Sequence, residues 1–194
     1  MQKEISEIIE ENNKPPQHSD GIVVVDQWGN MAVIVHSINT LNWGSTGIFV
    51  DGISIPDSAS FQQEAIAQIS PGGRLPDATN PLIIFREGQP ILGSSAIGSC
   101  LNEKTLQVIL NILDFGLDPK TAVDMVYFRS PWWPNHWDHQ IVREGDFDKS
   151  ILDGVQAKGQ KIKEVKSQKI TENGFWAGIY INPETQALEG ATSS

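Results

Sequence analysis

Two apolar runs, GIVVVD at 21–26 and MAVIVHS at 31–37, stand on either side of QWGN at 27–30, and no other feature narrows the fold of this chain as much. β-Branched residues dominate both runs, and a short link carrying Gly and Asn between two such runs signals a β-hairpin. Apolar character is nearly continuous along each run rather than alternating, so a sheet built from them is expected to be covered on both faces. The chain is therefore expected to expose a large apolar face, or to pair with another copy as a homo-oligomer that covers it.

At 194 residues the chain suits one domain and could bury roughly 70% of its unfolded surface. Hydrophobic residues make up 39% and charged residues 20%, a globular mixture. A net charge of −10 argues against nucleic acid as a partner, because little here would neutralise phosphates. The basic stretch KGQKIKEVKSQK at 158–169 reads as a solvated face. Cys100 is the single cysteine, which excludes an internal disulfide and any cysteine-based zinc site, and it reads as a small buried hydrophobe. No apolar run approaches the roughly 20 residues of a membrane span, and the acidic start MQKEISEIIEENNKPP lacks the pattern of a signal peptide. The cytoplasm is the favoured compartment on that ground alone.

Further along, residues 3–11 predict a short helix with Ile5, Ile8 and Ile9 on one face, stopped by NNKPP. A Gly/Ser/Asp-rich stretch follows at 40–60, with a short strand at 47–50; such loops usually bind something. Residues 61–80 read as an ordered loop, and 81–86 with 90–93 as a second hairpin around EGQ. GSSAIGS at 93–99 reads as the entry to a helix over 103–115, in which Leu106, Ile109, Leu110 and Leu113 recur at helical spacing before Gly116. Asp118 as N-cap and Pro119 at the first position predict another helix over 118–126. The aromatic SPWWPNHWDH reads as a loop, followed by a helix near 148–159 and strands near 161–166 and 174–181. The fold class expected is α+β.

Ser19 stands immediately before the first strand, in QHSDGIVVVD. It is either a loop serine capping the turn into that strand, or the residue before which the chain is cut, left as a new N-terminus. The whole order HSDGIVVVDQWGN, HSINTLNWGSTGI, PGGRLPDATNP, GSSAIGS, TLQVILNILDFGLDPKTAV and EGATSS resembles the small subunit of gamma-glutamyltranspeptidases. These are N-terminal nucleophile (Ntn) hydrolases, so the resemblance, which covers about residues 17–194, implies part of an αββα sandwich and a self-cleaving precursor, a zymogen. It implies that residues 1–18 are the tail of an upstream large-subunit or propeptide region, and that 19–194 form the small-subunit-like region.

In that family a threonine stands seven positions before the aspartate ending the first strand, and counting back from Asp26 gives Ser19. The bond to be cut would be His18–Ser19. A freed α-amine, with an ordinary pKa of about 7.7–8.0, can take the hydroxyl proton at neutral pH, so one residue supplies nucleophile and base. The resemblance further implies Ser37 as a supporting hydroxyl, Asn39 as a holder of the substrate's amino group, and the amides of Ile97 and Gly98 as the oxyanion hole. Such a mechanism needs no metal and no organic cofactor. Partners implied are a small amide or peptide-like substrate and the upstream region of the same precursor.

The departures are as informative. Where the family grips the substrate carboxylate with two serines four and three positions before a proline, this chain carries Asp77 and Ala78 ahead of Pro81. At the amino-group end Asp57 in DGISIPD matches the family's aspartate, and no glutamine accompanies it. A carboxylate and a methyl in that grip imply a substrate other than a standard γ-glutamyl amino acid. They equally suit a rival reading, in which a non-catalytic homologue or inactive fragment keeps the fold as a binding or structural module. His136 and His139 flank Asp138, but aromatic-loop packing is the better reading than a metal pair, and His36 reads as a sheet residue rather than a base.

Overall fold

The first hairpin forms on the pattern of its sequence. In the computed structural model, β1 (Ser19–Val25) pairs antiparallel with β2 (Met31–Ser37), from Ser19 opposite Ser37 to Val25 opposite Met31. The link is tied by Asp26, whose carboxylate accepts from the amides of Trp28 and Asn30 at 2.9 Å each and from the Asn30 side chain at 2.8 Å. The bond from the Asn30 side chain, with backbone donors behind it, holds the Asp26 carboxyl below its ordinary pKa. The residues described are 19–37, 46–55, 62–75, 77, 79–98, 101–129, 139–166 and 174–193. The helix expected over 3–11 and residues 130–138 of the aromatic loop lie outside them.

Downstream, β3 (Phe49–Val50) and β4 (Ile53–Ser54) make a small hairpin on Asp51 and Gly52, both at positive φ. The segment expected as a loop contains a short helix, α1 (Gln63–Ala67). The second hairpin joins β5 (Leu82–Arg86) to β6 (Gln89–Gly98). Here the structure departs from the expected helix-entry turn: GSSAIG at 93–98 continues the strand, and the helix α2 (Leu101–Leu113) begins only after it. The reason lies in partners that sequence spacing does not display, since β9 (Gly174–Ile181) pairs with β6 from Leu92 to Gly98. Then comes α3 (Pro119–Asp124), where Asp118 accepts from the Thr121 amide at 3.0 Å as its N-cap. A parallel pair, β7 (Gln140–Arg143) and β8 (Ile162–Val165), is connected through α4 (Lys149–Ala157). The last strand is β10 (Leu188–Thr192). Neither β7 nor β10 was legible: QIVR is four residues long and LEGAT has little β-branched character.

Four of these strands form one antiparallel sheet in the order β10-β9-β6-β5. Alternation along β6 sends Leu92 and Ala96, with Trp176 of β9, toward α2 and α3, where Val108, Ile112, Ala122 and Val123 close the core. The opposite face meets the first hairpin. A Cβ on Gly93 would lie 2.6 Å from Met31 Sδ and 2.8 Å from Val23 Cγ1, and one on Gly21 would lie 2.5 Å from Ser95 Oγ. Helices, sheet and hairpin thus stack as three layers. The outward side of the hairpin stays open: Ile22, Val24 and Ile34 are 50%, 54% and 57% exposed. Cover on both faces was expected; among the described residues it exists on one, because the helices they form lie on the far side of the sheet.

This packing makes two glycines behave oppositely. Gly93→Ala should destabilise the protein by about 1–3 kcal/mol, because a methyl cannot enter between the layers without shifting Met31 and Val23. Gly154→Ala, in α4 with open space around it, should stabilise by about 0.5–1 kcal/mol by removing a helix-interior glycine. Urea midpoints of the two variants check this; equal midpoints would contradict the close approach at Gly93.

Candidate functional site

Antiparallel pairing about the Asp26–Asn30 link sets Ser19 directly across from Ser37. Both side chains lie on the half-buried, inward-facing side of the hairpin, and Ser19 Oγ donates to Ser37 Oγ at 2.8 Å. The outward side of the same strands carries Asp20 and His36, whose carboxylate oxygen and Nδ1 are 3.9 Å apart and whose side chains are well exposed. His36 is therefore turned away from Ser19 and does not serve it as a base.

The glycine contacts fix how β1 crosses β6. Val23 lies over Gly93 and Gly21 over Ser95, so each two-residue step back along β1 is a two-residue step forward along β6. Carried one step further, that progression brings Ser19 to the Ile97–Gly98 end of β6. Ile97 is paired with Phe175 of β9. Neighbouring amides in a strand point to opposite edges, so those of Ile97 and Gly98 do not converge while the chain is extended. Gly98 closes the strand at φ 85, a conformation favouring glycine. By the same alternation its N–H points to the edge that β5 occupies lower down and has left by this level. A cavity of about 150 Å³ opens beside Gly21, between β1 and the sheet, lined by Ser95, Ile97, Phe175 and Thr192. A larger recess of about 360 Å³ lies away from this point, beside α4, where Lys149 and Asp153 are already bonded to each other.

Among the substrate-contact candidates, Asp77 is exposed and its carboxylate accepts from the Thr79 amide at 2.8 Å, an Asx turn. Asn39, Asp57 and Ala78 lie outside the described residues, as do His136 and Asp138. Of the candidates, the structure bonds Ser19 to Ser37, and the course of β1 across β6 runs toward the Ile97–Gly98 end. One residue that the sequence reading passed over sits beside that end: Asn80 links the end of β6 to the start of α2, and its only local signal was the Asn-Pro pair before β5. Among the described residues no group of three His, Cys, Asp or Glu side chains could hold a metal ion, and no helix is long and apolar enough to cross a membrane.

Comparison with known proteins identifies the family and the fold. The family model described as gamma-glutamyltranspeptidase matches residues 3–193. The glutathione hydrolase proenzyme of Escherichia coli is 26% identical over 196 aligned residues, covering 94% of this chain and 31% of its own length. A protein of the same name from Pseudomonas sp. is 26% identical over 57% of this chain and 22% of its own length. The chain thus spans less than a third of the curated relatives it matches. Among solved structures, a Helicobacter pylori gamma-glutamyltranspeptidase mutant superposes with a TM-score of 0.65 at 20% identity, covering 89% of this chain and 96% of that one. A Bacillus anthracis transpeptidase superposes with a TM-score of 0.58 at 14% identity, covering 89% and 93%. The α+β architecture described above is that of the Ntn-hydrolase sandwich in these structures.

Proposed function

Because the chain belongs to the gamma-glutamyltranspeptidase family, we propose that it is the nucleophile-bearing part of an Ntn amidohydrolase or acyltransferase, with Ser19 as the nucleophile. The observation that carries this reading is the 2.8 Å bond between Ser19 Oγ and Ser37 Oγ on the inward face of the hairpin. A loop serine capping a turn would need no such partner. The relatives' names as proenzymes support a precursor that is cut.

In the cleavage step Ser19 Oγ attacks the carbonyl carbon of His18. The C–N bond breaks as the C–O bond forms, and the departing nitrogen takes the hydroxyl proton. Water then hydrolyses the ester, leaving a carboxylate on His18 and a free amine on Ser19. In turnover that amine takes the Ser19 proton while Oγ attacks the substrate amide, and the amine product leaves with the proton. Ser37 fixes the direction of the Ser19 hydroxyl. The Gly98 amide, directed past the end of β5, is the donor for the developing oxyanion; losing such a donor typically costs about 2.7–4 kcal/mol of barrier. Water or an amine releases the acyl group. The upstream region of the precursor is the partner that covers Ile22, Val24 and Ile34. Asn39 and Asp57 would hold the substrate's amino group, and Asp77 with Ala78 would set its carboxylate end away from an ordinary γ-glutamyl residue.

Intact-mass measurement on the full-length protein tests the reading. A fragment beginning at Ser19 is expected, and a serine-directed electrophile should add to that residue. A cut at another bond, or an adduct elsewhere with Ser19 unmodified, would contradict the nucleophile. A non-catalytic module is the rival reading, favoured by one observation: the Asp77 carboxylate is engaged with its own loop at Thr79.

A further inference from the structure

We propose that Asn80 is a positioning residue that clamps the strand-to-helix connection carrying Gly98; its catalytic meaning rests on the reading of Gly98 as an oxyanion donor. The pairing of Leu82 with Ser94, continued by two residues on each strand, sets Asn80 opposite Ala96. There the Ala96 amide donates to the Asn80 side-chain carbonyl at 3.1 Å. The other end of the same side chain reaches across to α2. Its amide nitrogen donates to Leu101 O at 3.2 Å, Asn102 Oδ1 at 3.3 Å and Thr105 Oγ1 at 3.0 Å. Ala96 and Thr105 are buried, 1% and 3% exposed, so the bonds to these two are partly shielded from water, while the one to Asn102 lies at the surface.

One side chain thus grips the chain just before Gly98 and just after it. Only a carboxamide can do this, since it offers an acceptor at one end and two donors at the other. Aspartate lacks the donors and serine lacks the span. A second consequence follows from its place in sequence: Asn80 is three residues beyond Asp77, so the clamp also joins the carboxylate-end loop to the oxyanion end of β6. Without it the Ala96 amide loses its partner and the Gly98 amide is free to turn. Ser19 would still attack, but with its oxyanion donor misaligned.

The test uses the full-length protein and two readouts, with Ser19→Ala as the reference. Asn80→Ala should speed hydrogen exchange at the Ala96, Ile97 and Gly98 amides at least about tenfold. It should also lower kcat at least about tenfold while KM changes less than about twofold, the split expected when an interaction made only in the transition state is lost. Thr105→Val removes one acceptor on α2 and leaves the Ala96 bond, so it should give a smaller change of the same kind; it decides the matter if Asn80→Ala does not fold. Unchanged exchange in both variants overturns the clamp. Faster exchange with unchanged kcat, or a rise in KM alone, overturns the positioning role. Turnover that survives Ser19→Ala instead refutes the Ser19 reading and the catalytic meaning with it, and exchange at Gly98 then decides the clamp by itself.

Discussion

Ser19→Ala should leave the His18–Ser19 bond intact and lower turnover by at least about 10⁴-fold, because the proposed mechanism uses the same oxygen for cleavage and catalysis. The substitution removes the donor to Ser37: Ser19 is half-buried at the start of β1 and, among the described residues, does not belong to the core cluster. Loss of activity should therefore come without a comparable loss of stability, which a urea melt would verify. Ser19→Thr keeps the hydroxyl at the same atom and should retain cleavage. A mature N-terminus still generated in Ser19→Ala, or turnover that survives it, would remove Ser19 from the mechanism. The pair of variants separates a chemical role from a structural one, since a turn-capping serine would be expected to matter for folding and not for bond breaking.

Replacing Asp77 and Ala78 together by serine should raise kcat/KM toward γ-glutamyl substrates at least about tenfold, the equivalent of about 1.4 kcal/mol. On the proposed assignment, the native pair would present a carboxylate and a methyl group where a substrate carboxylate needs donors. Each charge-assisted hydrogen bond missing there is worth roughly 1.5–3 kcal/mol, and like charge adds repulsion. The loop should survive the change. The Asp77 carboxylate now accepts from the Thr79 amide, and a serine hydroxyl can make the same local turn, though more weakly. Asn80 still anchors the loop at β6 and α2. If the unmodified full-length protein already hydrolyses γ-glutamyl amides efficiently, the idea of a retuned carboxylate end fails, whatever becomes of Ser19.

Much of the site was legible through short-range features. The seven-residue interval from Ser19 to Asp26 placed the serine at the start of β1, and the hairpin signal predicted its partner strand. Even the pairing of Ser19 with Ser37 is local in origin, since the length of the Asp26–Asn30 link sets the register of everything beyond it. The helices α2 and α3 were equally clear, one from its apolar spacing, the other from Asp118 and Pro119. In each case the deciding interactions lie within about one turn or one hairpin of the residue that signals them.

What spacing could not reveal depends on segments far apart in the chain. GSSAIG reads locally like a helix entry, yet it is strand because β9, some eighty residues later, offers a full set of partners. β10 exists on the same terms, with weak intrinsic preference and a ready edge to join. The glycines at 21 and 93 look like any strand glycines until the hairpin is laid across β6, where a Cβ would collide with Ser95 or with Met31 and Val23. Asn80 is the sharpest case. As sequence it is a turn residue before a proline; in the fold its side chain accepts from the Ala96 amide of β6 and bonds α2 with its other end. The sequence by itself determined the first hairpin, the helices α2 and α3 and the serine at the front of that hairpin, because those follow from bonds between near neighbours. Only the tertiary structure decided which end of β6 that serine meets and what holds that end in place, because both depend on how two sheets cross and on a side chain bridging elements that are not adjacent in sequence.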